Sequence, residues 1–333
     1  MPRATIKDVA RVAGVSDGTV SNALRRPGTV SAATRERVLR AVTEVGYVAN
    51  AAARALRAGR TKSLGLAVLG FGNPFFVDIA DAAEEAALAA GGLISIYNTA
   101  RDKQREDSLL RRLQERQLDG LIITPLDVDD PLLDELVARG TAVVVLLRPV
   151  PSGRHCTVRV DDVATGRLAT QHLLDRGHRR IAYAGPVNEE RYEGALAVAA
   201  PEVDAFEWRR TESAEVDDGL VLAAQIAGLS AGERPTAVFC ENDLLAVGLV
   251  QGARRHGLRV PDDLAVVGVD DTPLASAASA VGLTTVRQPG AEMARAAVGL
   301  LVEEMAQGHD IHRDVVFEPE LVVRASSGPR RSQ

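Results

Sequence analysis

Twelve Arg and Lys stand in residues 1–62 (Arg3, Lys7, Arg11, Arg25, Arg26, Arg35, Arg37, Arg40, Arg54, Arg57, Arg60, Lys62), against Asp8, Asp17, Glu36 and Glu44, a net charge of +8. The whole chain carries −6, which leaves −14 on residues 63–333. Guanidinium and ammonium groups at this density displace condensed counterions from phosphates, so the expected chemistry is an electrostatic grip on DNA at one end of the chain only. Elsewhere no reaction centre is legible. The six His are scattered, and His178 reads as structural. Cys156 and Cys240 lack metal or redox spacing. No Ser–His–Asp grouping and no phosphate loop stands out, and Gly268-Val269-Asp270 is not a dinucleotide fingerprint. The expectation is therefore no catalytic residue, no metal, no cofactor and no enzyme.

The basic segment is punctuated for helices. Thr5-Ile6-Lys7-Asp8 has the form of a capping box, and Ile6, Val9, Ala10 and Ala13 recur at helical spacing until Gly14. Ser16 caps a second helix running to about Leu24, with Val20 and Ala23 inward. Ser31 caps a third, whose Val38, Ala41, Val42 and Val45 form a core stripe ended by Gly46. Two short helices across Gly14-Val15-Ser16 make a helix-turn-helix, a motif that lays its second helix in the major groove. Asn50 caps one more short helix, Ala51 to Ala58, built from Ala and Arg around Leu56. It is too short to persist alone in water and would form only with support from DNA and a partner copy.

Thr5-Ile6-Lys7-Asp8-Val9-Ala10, Ala13-Gly14-Val15-Ser16, Thr19-Val20-Ser21, Val30-Ser31, Thr34-Arg35, Gly46-Tyr47, Asn50, Ala53-Arg54 and Leu56 resemble the head of the lactose-repressor/purine-repressor (LacI-type) transcription factors. The resemblance continues to about residue 327. It implies an all-α helix-turn-helix head plus an α/β, two-lobed, periplasmic-binding-protein-like body of doubly wound parallel sheets. It also implies DNA contacts by Thr5 and Ser31, and phosphate contacts by Ser16, Thr19 and Ser21 that set register without specifying sequence. Asp17, Gly18 and Asn22 take the base-facing places. Asn22 suits adenine, and Gly18 reads nothing. Asp17 suits either cytosine or the positive end of its own helix. Asn50 and Leu56 complete the set, Leu56 either wedging between base steps of the minor groove or packing against the head. Ala49 stands where the family usually has Pro.

The body, with 46% hydrophobic residues in the whole chain, alternates strand and helix signals. Strands are expected at Leu64–Gly70, Leu93–Tyr97, Gly120–Thr124, Ala142–Leu147, Ile181–Ala184, Ala237–Cys240 and Leu264–Val269, with helices such as Phe75–Ala90 and Asp243–His256 between them. That pattern predicts parallel sheets in two lobes, with a ligand cleft at the strand C-termini. The resemblance places lobe crossings near Arg159–Asp161, Thr285–Gln288 and Phe317–Pro319. The resulting division is 1–48 head, 49–62 hinge helix and linker, 63–159 with 287–317 N-terminal lobe, 160–286 with 318–327 C-terminal lobe, and 328–333 disordered tail. Fraying is expected from Ser326 onward.

In the cleft the resemblance points to Asn73, Phe75, Phe76, Arg148, Asp161, Arg191, Asn242 and Asp270 as effector-binding. Arg191 is the clamp for a hydroxyl pair or carboxylate. Phe76 reads equally as core, Asp270 also as a turn cap, and Asp243 as a helix cap. An Arg–Asp–Asn set over aromatics fits a sugar. Leu147 and Ala214, however, stand where sugar-binding relatives often have Asp and an aromatic, and Arg148 leaves room for an anionic effector. The expected partners are a near-palindromic double-stranded operator, a small-molecule effector and a second copy in a homodimer, because no leucine heptad tail is present. With no signal peptide and no apolar run of membrane length, the reading is cytoplasmic and membrane-free. A regulator answering to a protein partner or a non-sugar metabolite is the alternative, and a solute-binding protein the remote one.

Overall fold

The computed structural model describes residues 4–47, 63–116, 118–186, 189–277, 281–308 and 311–328. The chain divides into two units, residues 1–61 and 62–333.

In the first unit the sequence signals become helices at the expected places. Helix α1 (Ile6–Ala13) carries the full Thr5/Asp8 capping box and ends on Gly14 at φ 63°. Helix α2 (Asp17–Arg25) is capped by Ser16, whose Oγ accepts from the Thr19 N–H at 3.1 Å. Helix α3 (Ala32–Val45) is capped by Ser31 and ends on Gly46 at φ 63°. A glycine suits both ends because the left-handed backbone has no Cβ to strain it. Val9, Ala10, Ala13, Val20, Ala23, Val38 and Ala41 form one small core, with Val42 and Val45 packed on it.

The second unit is built on two six-stranded sheets. The first contains β1 (Ser63–Val68), β2 (Leu93–Asn98), β3 (Gly120–Ile123), β4 (Ala142–Leu146), β5 (Cys156–Val160) and β11 (Asp314–Phe317), in the order β11-β5-β4-β3-β1-β2. The second contains β6 (Arg180–Gly185), β7 (Ala205–Arg210), β8 (Ala237–Cys240), β9 (Ala265–Asp270), β10 (Thr284–Arg287) and β12 (Glu320–Val322), in the order β12-β10-β9-β8-β6-β7. All pairings are parallel except β10 with β12. Helices cover both faces: α4 (Pro74–Ala89), α5 (Lys103–Arg116), α6 (Pro131–Ala138) and α12 (Gly290–Gln307) serve the first sheet. Helices α7 (Asp162–Asp175), α8 (Glu189–Ala199), α9 (Val216–Ala227), α10 (Asp243–Arg255) and the short α11 (Pro273–Ala277) serve the second. Each lobe therefore has an apolar layer on either side of its sheet, the arrangement parallel strands require. The chain passes between sheets after β5, after β10 and after β11.

Five strands beyond the seven read from sequence are present: β5, β7, β10, β11 and β12. Most lie at or near sheet edges, where one polar flank is tolerated and the apolar run is broken. Trp208 sits inside edge strand β7, where its Nε1–H donates to the Gly185 carbonyl at 3.0 Å. The expected fraying from Ser326 is overturned. Ser326 and Ser327 are fully buried, and Ser326 Oγ accepts from the Thr284 N–H at 2.8 Å while donating to the Val266 carbonyl at 2.6 Å. Ser327 Oγ meets His172 Nε2 at 2.7 Å. The Ser326 hydroxyl bridges backbone groups of β9 and β10 and the Ser327 hydroxyl joins two buried side chains, which hydropathy cannot reveal. Residues 329–333 lie outside the described residues.

Candidate functional site: an inter-lobe cleft and an exposed helix face

Two closely packed helices fix the entrance of the second lobe. A Cβ built on Gly166 of α7 would lie 2.0 Å from the Arg191 carbonyl oxygen, and one on Gly194 of α8 would lie 2.1 Å from that of Val163. The helices touch backbone to backbone, and this sets where α8 holds Arg191.

The cleft gathers residues from the C-terminal ends of strands in both sheets. Leu69, Asn73, Phe75, Phe76, Arg101, Thr124, Leu147 and Arg148 come from the first lobe. Asp162, Arg191, Glu241, Asn242 and Asp270 come from the second, and Gln288 from the crossing after β10. The free volume inside the cleft is about 80 Å³, a narrow space below the roughly 300–1,000 Å³ of a typical small-molecule pocket. Phe75 and Phe76 meet edge to face at 5.6 Å, and both line the cleft while also belonging to the first-lobe core. Three lining residues have left-handed backbones: Arg101 at φ 55°, Leu147 at φ 64° and Asp270 at φ 112°. Strain of this kind persists only where surrounding structure enforces it, and it clusters at functional sites.

Polar groups in the cleft are tightly organised. Arg191 is 6% exposed, and its Nε donates to Asp162 Oδ1 at 2.8 Å while Nη1 donates to the Glu241 carbonyl at 2.5 Å. Burial alone would lower its pKa, but the Asp162 carboxylate more than offsets that, so the guanidinium stays charged. Asn73 reaches across from the first lobe, its Nδ2 donating to Asp270 Oδ2 at 2.8 Å. Gln288 Nε2 donates to Asp270 Oδ1 at 2.6 Å. Asn242 caps α10 through its Oδ1, which accepts from the Leu245 N–H at 2.9 Å. Asp243, expected as that cap, instead accepts from Thr272 N–H at 2.8 Å and Thr285 Oγ1 at 2.6 Å, holding β10 and the turn after β9 together.

Burial pushes Asp270 up to about 6, and burial with the nearby Asp270 charge pushes Asp243 up to about 7. Both folded values exceed the unfolded carboxyl value of about 3.9. The folded state therefore binds more protons than the unfolded state across this window. The contribution of this pair to stability is therefore present below about pH 4 and is lost as pH rises through about 6 and 7. Replacing Asp270 with Asn removes one of the two titrations and should flatten that decline, read from denaturant midpoints at pH 5 and pH 8. Parallel slopes in the two proteins would show that Asp270 does not contribute.

Of the eight cleft residues expected from sequence, seven line it, and Asp161 does not. Asp161 is the N-cap of α7, its Oδ1 accepting from the Ala164 N–H at 2.8 Å, and the carboxylate in the cleft belongs to its neighbour Asp162. Asp162, Arg101, Glu241 and Gln288 were missed. Each lies just past a strand end, a position signal that could have found them. Ala214, 2% exposed, packs in the second-lobe core.

In the first unit Thr5, Ser16, Asp17, Gly18, Asn22 and Ser31 are exposed, and Thr19 and Ser21 half-buried. Asp17, Gly18, Ser21 and Asn22 share the face of α2 opposite buried Val20 and Ala23. Ser16 Oγ also meets Thr19 Oγ1 at 2.9 Å, so the two hydroxyls are mutually held at the helix start. Asn50 and Leu56 lie outside the described residues. Among the described residues, no helix is long and apolar enough to cross a membrane.

Comparison with known proteins agrees along the chain. Residues 5–50 match the family described as bacterial regulatory proteins, lacI family, and residues 170–327 match the periplasmic binding protein-like domain. An HTH-type transcriptional repressor PurR from Photobacterium profundum is 35% identical, covering 97% of this chain and 98% of the relative. A PurR repressor from Vibrio cholerae is 33% identical over 96% of this chain and 97% of its own. Among solved structures, the transcriptional regulator CelR–cellobiose complex is 31% identical with a TM-score of 0.71, covering 97% of this chain and 100% of that one. The lac repressor dimer bound to operator and the anti-inducer ONPF is 25% identical with a TM-score of 0.84, covering 98% and 100%. With a three-helix head, a two-lobed body and repressor relatives alike over nearly the full length, this chain belongs to the LacI family of bacterial transcriptional regulators, DNA-binding repressors and not enzymes.

Proposed function

We propose that the chain is a cytoplasmic homodimeric repressor whose grip on a near-palindromic operator is set by a sugar or sugar derivative held between its lobes. In this reading residues 1–48 read DNA, 49–62 form the hinge, 63–159 with 287–317 and 160–286 with 318–327 are the lobes, and 328–333 is a tail. The supporting observation is Arg191, a buried planar fork beside Asp162, Asn242 and Asp270 at the strand ends, with Phe75 and Phe76 as an apolar wall. Alternating donors, acceptors and an aromatic floor suit a polyhydroxy ligand. The CelR–cellobiose complex, and a LacI family regulator from Enterococcus faecium solved with bound ribose, are in keeping with it. Arg101 and Arg148 refine the reading. Among the described residues neither has a close ion pair or side-chain hydrogen bond, both line the cleft, and both act at longer range on the buried Glu241 carboxylate. Two available cations favour an anionic sugar derivative, a phosphate or an acid, over a neutral sugar.

A thermal-shift panel of sugars, sugar phosphates, sugar acids and nucleobases tests this, because a binder raises the melting temperature by mass action. The hit should then change operator affinity by about 5–150-fold. A panel with no hit, alongside a co-purifying protein, would move the regulator to control by a partner.

On the DNA side, Ser16, Thr19 and Ser21 serve phosphates, Thr5, Ser31 and Asn50 add further DNA contacts, Asp17, Gly18 and Asn22 face bases, and Leu56 acts at the minor groove. Replacing Asn22 with Ala should weaken operator binding by about 1–3 kcal/mol, the worth of one bidentate base contact. Binding to random duplex should stay unchanged. Equal losses on both DNAs in a mobility-shift titration would make Asn22 a phosphate contact instead.

A further inference from the structure

At the end of the first sheet's strands opposite the cleft, three side chains from separate segments converge. Cys156 opens β5, Glu304 lies in the last turn of α12, and His312 stands two residues before β11. One ligand atom from each, the Sγ, a carboxylate oxygen and a ring nitrogen, all lie within 4.8 Å of one another. Cys156 is fully buried, and the other two are half-buried. The parallel pairing of Thr157 with Asp314 brings the starts of β5 and β11 side by side, so the approach is fixed by sheet register.

The separation of the sulfur and the ring nitrogen is close to that of two ligands on one ion. Cys156 Sγ and His312 Nδ1 are 3.7 Å apart. A tetrahedral ion bonded at about 2.3 Å to sulfur and about 2.0 Å to nitrogen would hold those atoms about 3.5 Å apart. The Arg313 N–H also donates to Cys156 Sγ at 3.4 Å, a contact that supports a thiolate. Arg313 pairs with Glu303 over the cluster. His155 lies tilted beside His312, with ring centroids 6.4 Å apart, but its Nε2 faces Asp134 at 3.4 Å. One sulfur, one nitrogen and one oxygen select a borderline-soft divalent ion over magnesium or calcium.

We propose that Cys156, Glu304 and His312 bind a divalent transition metal of the zinc class, with a fourth position open to water. On binding, the Cys156 thiol gives its proton to solvent and the thiolate takes the metal. The ion would tie the end of α12 and the start of β11 to β5, the two strands that lead into lobe crossings.

The test is titration of metal-free, untagged full-length protein, kept reduced with a phosphine, first with Co²⁺ and then with Zn²⁺. One equivalent of Co²⁺ should bring up a thiolate-to-metal charge-transfer band in the near ultraviolet, and Zn²⁺ should bleach it. Cys156→Ser should abolish the band. His312→Ala and Glu304→Gln should each weaken binding at least about tenfold. Cys240→Ser, buried in the other lobe, should change neither. Absence of the band in the parent protein overturns the proposal. So does unchanged affinity in both His312→Ala and Glu304→Gln, two half-buried positions that keep the question decidable if Cys156→Ser fails to fold.

Discussion

Replacing Arg191 with Ala should destabilise the body by about 3–5 kcal/mol and abolish ligand binding in the proposed effector cleft. The guanidinium is buried, so water does not screen its pairing with Asp162. Its removal leaves the Asp162 carboxylate, 8% exposed, without the cation that compensates it, and strips the Glu241 carbonyl of a donor. The loss is thus the cost of a stranded charge, which is larger than the net worth of the pair. Arg191→Lys should recover part of the stability, because charge returns, but not ligand affinity, because a compact ammonium lacks the planar fork that reaches Asp162, the Glu241 carbonyl and a ligand from one position. Denaturant midpoints and calorimetry measure the two effects separately. A loss below about 1 kcal/mol in Arg191→Ala would mean the pair behaves like a surface ion pair, contrary to its burial.

Gly166→Ala should cost about 3 kcal/mol, the upper end for overpacking, although it adds one methyl. The new Cβ would meet the Arg191 carbonyl oxygen at 2.0 Å and the Ala195 nitrogen at 2.7 Å. Both are backbone atoms of α8 and cannot rotate away, so α7 and α8 must part. Arg191 then leaves its place, and ligand affinity should fall with stability. Gly228→Ala is the control, since its nearest atom would lie at 3.5 Å, ordinary contact. A melt of Gly166→Ala that matched the control would show that the helices can separate without cost. The DNA-reading unit has its own core, so its far-ultraviolet helical signal and its attachment to random duplex should persist in both variants.

The head was legible almost completely because its helices are fixed by local chemistry. Thr5 with Asp8, Ser16 and Ser31 start them, and Gly14 and Gly46 stop two of them. The central strands were legible for a similar reason, since runs such as Ala142–Leu146 are apolar throughout and buried on both faces. Edge strands were not. Ala205–Arg210 interleaves Glu207, Arg209 and Arg210 with its aromatics, and it becomes a strand only by pairing with β6. In the cleft, sequence placed Asn73, Arg191, Asn242 and Asp270 but chose Asp161 over Asp162. Two adjacent carboxylates at a helix start differ only in which one the first turn consumes as a cap. Arg101 escaped notice because its direction depends on a left-handed backbone at Ala100 and Arg101, which no side-chain pattern announces. Cys156, Glu304 and His312 are far apart in sequence, so only sheet register could join them.

The hydrogen bond from Asn73 to Asp270 joins the two lobes with nothing between them. Any molecule that seeks Asp270 must first evict an amide belonging to the protein itself. A newcomer with a well-placed hydroxyl makes an even exchange, whereas one without a donor leaves an interior carboxylate oxygen bare, at a penalty of about 1–3 kcal/mol or more. The chain thus carries its own competitor, which screens out greasy visitors and raises the concentration at which a genuine signal registers.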